Sequence, residues 1–286
     1  MDPDRCSVAR RAAQDLVRLA VPVECPGCGT PDVRWCRDCL TPLAGPARRV
    51  EDGAPRLDRL DGVPPLPTWA LASYSGPLRD VVVAWKDRGR ADLDRPLSDA
   101  VRSAGAALAP LLRAVAGQGP VAAGGLLVVA APTSRAARRA RGREPVAVLA
   151  DAFAVGLRSA GCAARVVSLL VQERRSRDQV GLGSRGRGAR LTVVRLARTA
   201  AARALVGTPV RSVPACVLID DVLTTGATIA ACESALSGRA IPVLGAFTLV
   251  ATPSPRGDRT TPGRSSGEGV GSPSVGAADT PYRGLR

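Results

Sequence analysis

Histidine is absent from all 286 residues. That absence excludes Ser-His-Asp hydrolysis, imidazole acid–base catalysis and any metal site needing an imidazole ligand, and it leaves carboxylates, cations, hydroxyls and backbone groups to do the chemistry. Aromatic residues make up only 2% of the chain, so the core must be mostly Ala, Val and Leu, and a stacking platform for single-stranded nucleic acid has little to build it from. Long apolar runs are missing too. The longest small-apolar stretch, "VAAGGLLVVAAP", is too short to span a bilayer, and polar residues interrupt every apolar run of the first 22 residues. Neither an export signal nor a membrane span is therefore expected, and a cytoplasmic location follows, with cysteines reduced or metal-bound.

What the chain has in excess is positive charge. The net charge of +15 and a pI near 11.0 imply affinity for polyanions such as nucleic acid, nucleotides or phosphorylated sugars. Lys86 is the single lysine among 40 basic residues. Ala, Gly, Arg and Val abound as in a GC-rich coding sequence, so part of the arginine excess is compositional. A 45% hydrophobic fraction over this length suits one sizeable domain with appendages, or two small ones.

Five regions are expected. Residues 1–20 carry a short amphipathic helix, Val8 to Leu19, and 21–45 form a compact cysteine-rich knuckle. Residues 46–66, rich in Pro, Gly and charge without periodicity, read as a linker. In 67–252, "LLVVAAP", "ARVVSLL", "ACVLID" and "IPVLGAFTLVA" read as buried strands, while Leu97–Ala116, Pro145–Ala160 and Ala227–Ser237 have helical periodicity. Alternation of this kind predicts an α/β fold with a parallel sheet flanked by helices. Residues 253–286, full of Gly, Pro and Ser, read as a disordered tail.

Cys25, Cys28, Cys36 and Cys39 form two CxxC units seven residues apart. Each unit turns two thiolates toward one ion, and two units complete a tetrahedral S4 site, so structural Zn2+ is expected; unrelated buried cysteines or two redox pairs are the alternatives. Such a site has no open position for substrate, and its role is to fold a segment too small for its own core. Cys6, Cys162, Cys216 and Cys232 lack comparable spacing and read as small buried hydrophobes.

"CVLIDDVLTTGAT", Cys216 to Thr228, sets Asp220 and Asp221 at the carboxyl end of an apolar strand, where open α/β sheets bind ligands. The backbone N–H groups opening the next helix, with Thr224, Thr225, Ala227 and Thr228, suit a phosphate, and Gly226 permits its close approach. Adjacent acids beside a phosphate cradle suit the vicinal hydroxyls of a ribose attached to that phosphate. An ordinary strand-to-helix turn capped by Asp and Thr is the plain alternative.

The same thirteen residues resemble the phosphoribosyl pyrophosphate (PRPP) motif of type I phosphoribosyltransferases. With "YSGPLRDVVVAWKDRGR", "APTSRAARRARGREPVAVLADAFA" and "RRSRDQVGLGSRGR", the chain is similar, from about Leu16 to Pro253, to the ComF/GntX family. That family also carries a zinc-binding segment before a transferase-like domain. The resemblance implies PRPP or another ribose-phosphate ligand, with Mg2+ accompanying PRPP. It makes Asp220 and Asp221 the catalytic grip on the ribose, and Thr224 to Thr228 the hold on the 5-phosphate. It places Arg135, Arg138, Arg139 and Arg141 at the pyrophosphate loop and Arg174, Arg175 and Arg177 in a mobile cover, while Lys86, in another matching segment, is a PRPP-binding candidate because the one lysine of an arginine-rich chain suits a need for compact charge. Any of these basic side chains also reads as solvated surface in an arginine-rich chain. Two departures stand out: Arg143, Glu144 and Pro145 replace the family's usual aromatic, Asn and Gln, and Arg190 stands where Asn is usual.

Three functions compete. A phosphoribosyltransferase would displace pyrophosphate through an oxocarbenium-like transition state, which needs charge neutralisation more than a strong base. A non-catalytic accessory protein in competence and DNA uptake would keep the pocket as a PRPP sensor, with single-stranded DNA or a DNA-uptake helicase as partner. A plain zinc-ribbon nucleic-acid binder accounts for the charge but leaves "LIDDVLTTGAT" without a use. A homo-oligomer is compatible with each.

Overall fold

A computed structural model of the chain describes residues 23–58, 62–117, 125–173, 193–209 and 212–253. The expected N-terminal helix, the cover arginines, Arg190 and the tail lie outside the described residues.

The apolar runs form the centre of a six-stranded sheet. In chain order its strands are β1 (Arg48–Arg49), β2 (Thr68–Ser73), β3 (Leu126–Ala130), β4 (Ala164–Val166), β7 (Cys216–Leu223) and β8 (Val243–Ala251). Their order in space is β1-β2-β8-β7-β3-β4, parallel throughout except for β1. Two further strands, β5 (Leu170–Glu173) and β6 (Val193–Leu196), pair antiparallel as a separate ribbon. Continuous burial of Leu126–Val129 and Cys216–Ile219 is what a sheet covered on both faces requires.

Helices supply that cover. Helix α1 is a single turn (Arg37–Leu40); α2 (Gly76–Asp87) follows β2, and α3 (Asp94–Gly117) packs on α5 (Pro145–Ser159). Helix α4 (Arg135–Arg141) follows β3, α6 (Ala200–Val206) follows β6, and α7 (Ala227–Ser237) joins β7 to β8. The β3-α5-β4 connection steps toward one edge of the sheet and β7-α7-β8 toward the other. Right-handed crossovers then place α5 and α7 on opposite faces. Phe153 of α5 meets Phe247 of β8 with ring centroids 4.9 Å apart, both fully buried. Burial of a side chain of that size contributes roughly 2–3 kcal/mol.

The direction of stepping reverses between β3 and β7, and open sheets leave a crevice at the carboxyl ends of the strands at such a point. The sequence after β3 leads into the arginine-rich α4, and that after β7 into the Thr-Gly turn. The fold therefore brings both segments to one end of the sheet.

Three expectations need correction. "ARVVSLL" is two strands in different sheets: after Val167 donates its N–H to Val128 (3.0 Å), the chain leaves the main sheet and Leu170 pairs with Leu196. Strand β7 does not stop before the acids, because the ladder to β8 continues through Asp220–Thr248 to Leu223–Ala251. Residues 46–66 are not a loose linker where described. They hold β1, a 3-10 turn at Glu51–Gly53, and Ala54, Leu57 and Leu66 in the core. Glu51 anchors them, accepting hydrogen bonds from the Val50 and Thr68 amides (3.2 Å each) beside an ion pair with Arg49.

Candidate functional site

The knuckle is built from two turns and α1. The Cys25 amide donates to Thr30 O and the Gly29 amide to Cys25 O, both at 2.9 Å, which closes the first turn; Cys36 then precedes α1, which carries Cys39. The four sulfurs lie within 4.8 Å of one another, with Cys25–Cys36 at 3.7 Å and Cys28–Cys36 at 3.6 Å. Tetrahedral zinc with bonds of about 2.3 Å needs sulfur–sulfur edges of about 3.8 Å, so the donor set fits a structural metal such as zinc. The Thr30 hydroxyl, 3.0 Å from Cys28 Sγ, draws that thiol down to about 6. Cys162, Cys216 and Cys232 are buried, as expected of small hydrophobes.

The knuckle is seated on α2. A Cβ at Gly27 would come within 2.8 Å of Cys39 Sγ, 2.9 Å of Pro77 O and 3.1 Å of Val81 Cγ2, so only glycine allows this approach. Arg90, just beyond α2, donates to Glu24 O (3.2 Å) and to Arg34 O while its guanidinium is paired with Asp92.

At the end of β7, consecutive side chains point to opposite faces of the sheet. Asp221, 3% exposed, faces α2, where Lys86 Nζ lies 2.7 Å from both of its carboxylate oxygens. Burial alone would lower the Lys86 pKa, but Asp221, helped by Asp220, outweighs it and the net shift is upward. Asp220 is half-buried and takes the Asp221 amide on Oδ1 at 2.8 Å. Burial, then the Asp221 carboxylate, push its carboxyl up to about 7 against the opposing Lys86 charge. Its own charge helps raise the buried Cys232 thiol on α7, after desolvation.

Among the described residues no side chain caps the helix start at the turn that follows. Gly226, at φ 80°, occupies the cap position of α7 in the left-handed region, and Ala227 N reaches Thr225 Oγ1 only at 3.4 Å. Thr224, Thr225 and Ala227 are exposed and Thr228 is half-buried. Among the described residues the Thr224 and Thr228 hydroxyls have no hydrogen-bond partner. An uncapped helix start with free hydroxyls is equipped to hold an anion. Residues 54–57 brace it from below: Arg56 donates its amide to Thr225 O at 2.9 Å, and Leu57 and Ala54 lie where a Cβ on Gly226 would stand, at 2.7 and 3.2 Å. Gly226→Ala meets both that contact and a disfavoured φ. We expect a stability loss of about 1–3 kcal/mol, measured by denaturant unfolding.

The remaining cations divide. Arg141 is half-buried, pairs with Asp87 at 2.8 Å, and acts electrostatically on Lys86. Arg139 is exposed on α4. Arg138 pairs with Glu144 at 3.1 Å on the surface. Arg143 is turned inward: it pairs with Asp94, donates to Trp85 O at 3.1 Å, and stacks over the Trp85 ring at 5.6 Å. Trp85 Nε1 also donates to Asp94, at 2.6 Å. Asp87, Arg90, Asp94 and residues 54–57 are not evident as site residues in the sequence. Adjacency to the single lysine was a signal for Asp87, while the others act through tertiary contacts without a local pattern. No protein-family model matches the chain, and no curated protein matches it.

Proposed function

We propose that the chain is a ComF/GntX-like protein of type I phosphoribosyltransferase architecture that binds PRPP or a related ribose 5-phosphate. The observation that carries this reading is the pair of costly acids at the end of β7, one locked to the only lysine, beside an uncapped threonine-rich helix start. The 5-phosphate takes the amides that open α7 and the Thr224 and Thr228 hydroxyls, and the sugar hydroxyls donate to Asp220, while Asp221 on the other face holds Lys86 in place. Lys86 and Arg141 offer positive charge to the pyrophosphate. Magnesium bound together with PRPP would supply further neutralisation of the leaving group's charge. Loss of pyrophosphate with transfer of the phosphoribosyl group to an acceptor is the reaction such a site serves.

A second reading, a PRPP-sensing accessory protein that binds single-stranded DNA or a DNA-uptake helicase, is favoured by the net charge of +15. The zinc-ribbon binder is the weakest of the three, because the knuckle packs on α2 and the acid site then has no role. Calorimetric titration of zinc-loaded protein with magnesium and PRPP separates them. Saturable binding lost in an Asp220→Asn, Asp221→Asn double variant supports the site, and acceptor-dependent pyrophosphate release makes it an enzyme. An accessory protein instead binds DNA with a steep salt dependence that the double variant retains. No PRPP binding by folded, zinc-replete protein overturns the ribose-phosphate reading.

A further inference from the structure

Helix α2 touches both halves of the site region. Near its start, Pro77 O and Val81 receive the Gly27 and Cys39 side of the knuckle. Near its end, Lys86 holds Asp221. Both contacts lie on one helix about 18 Å long, whose roll is set by Val81, Val82 and Trp85, all with no exposed surface. Beyond its end, Gly89 at φ 72° turns the chain so that Arg90, four residues after Lys86, reaches back to the knuckle. Its two acceptors are informative. Glu24 immediately precedes Cys25, and Arg34 lies two residues before Cys36, so one guanidinium spans both Cys-x-x-Cys units. Asp92 fixes that guanidinium with two hydrogen bonds of 2.9 Å, Nε to Oδ1 and Nη2 to Oδ2.

A planar fork of donors is satisfied only when its acceptors stand at a set separation. Because these two carbonyls flank the two CxxC units, their separation follows that of the units, which one metal ion held by all four thiolates would define. We infer that Arg90 is a positioning residue through which the metal-loaded knuckle sets the placement of Lys86 against Asp221, so that metal retention and ligand binding at the acid site strengthen each other. Arg90 touches neither acid, so its influence passes through α2. Linkage makes the effect reciprocal: whatever factor the metal adds to ligand affinity, the ligand adds to metal affinity. The ligand half of this inference rests on the proposed ribose-phosphate site, but the link between knuckle and Lys86 does not.

Lys86 being the only lysine makes the test direct. Protein grown with 15N-labelled lysine gives one side-chain Nζ signal, whose shift and proton exchange report the ion pair with no ligand added. In zinc-loaded wild-type protein that signal is expected to exchange slowly. Arg90→Ala with zinc still bound is expected to speed its exchange, to weaken PRPP binding about fivefold to tenfold, and to remove a matching slowing of zinc release by saturating PRPP. Arg102→Ala, an exposed α3 arginine paired with Asp99, is the control and leaves all three readouts unchanged. If Arg90→Ala does not fold, Asp92→Asn frees the same guanidinium and carries the same expectations. An Nζ signal identical in wild type, in the variant and in zinc-stripped folded protein overturns the inference. So does a wild-type zinc release rate indifferent to PRPP that is shown to bind. Should PRPP fail to bind at all, the site reading falls, and the Nζ signal still decides the link.

Discussion

Asp220→Asn is expected to make the protein more stable at pH 8 and unable to hold PRPP. Burial and the neighbouring Asp221 raise the Asp220 carboxyl to about 7 in the folded chain, against about 3.9 when unfolded. Between those values the folded state keeps a proton that the unfolded state has lost. Stability therefore falls as pH rises from about 4 to about 7, and the full cost is present above that window. Asn keeps the shape and the Oδ1 acceptor for the Asp221 amide but carries no charge to desolvate. Because Asp220 is half-buried and coupled to a charged pair, the gain at pH 8 is set at about 1–3 kcal/mol. Below pH 4 the two proteins should converge. Urea unfolding at pH 4, 6 and 8 checks the slope. A variant less stable than wild type at pH 8 would show that the carboxylate is a structural element and not a group held at a cost for function.

Removal of the metal is expected to have the other large effect. Structural zinc binding in small thiolate peptides is worth about 10–16 kcal/mol at pH 7, and here it would act on a segment whose own core consists of little beyond Cys25, Cys39 and Leu43. Chelation, or Cys39→Ser, should release the knuckle and strip the cover from Val81 on α2. The central strands, buried against α5 and α7, should keep their order. Hydrogen exchange checks this: residues 23–45 and the exposed side of α2 should lose protection while 216–223 and 243–251 hold theirs. Burial and the neighbouring sulfurs raise the Cys39 thiol, so metal binding must displace protons, and metal should be lost more readily as pH falls. Unchanged protection of the knuckle after chelation would return the four cysteines to simple packing.

Local pattern carried much of this protein. Helix α7 runs over the Ala227–Ser237 that periodicity marks out, α5 stops one residue short of its predicted end, and the four cysteines converge as their spacing requires. These features were legible because each depends on residues within one or two turns of one another. Strand ends were not, since β7 continues through two acids only because β8 offers a ladder partner at Thr248. Residues 46–66 carry no periodicity, and they order because the Thr225 carbonyl and the core accept them. Arg143 stands in a run of arginines that the sequence cannot tell apart. Trp85 and Asp94 turn this one into an internal brace. The pair that matters most, Lys86 with Asp221, joins residues 135 apart. Composition singled out the lysine and a motif singled out the acid, but only the β2-β8-β7 strand order and the seating of α2 bring an ammonium to a buried carboxylate that needs it.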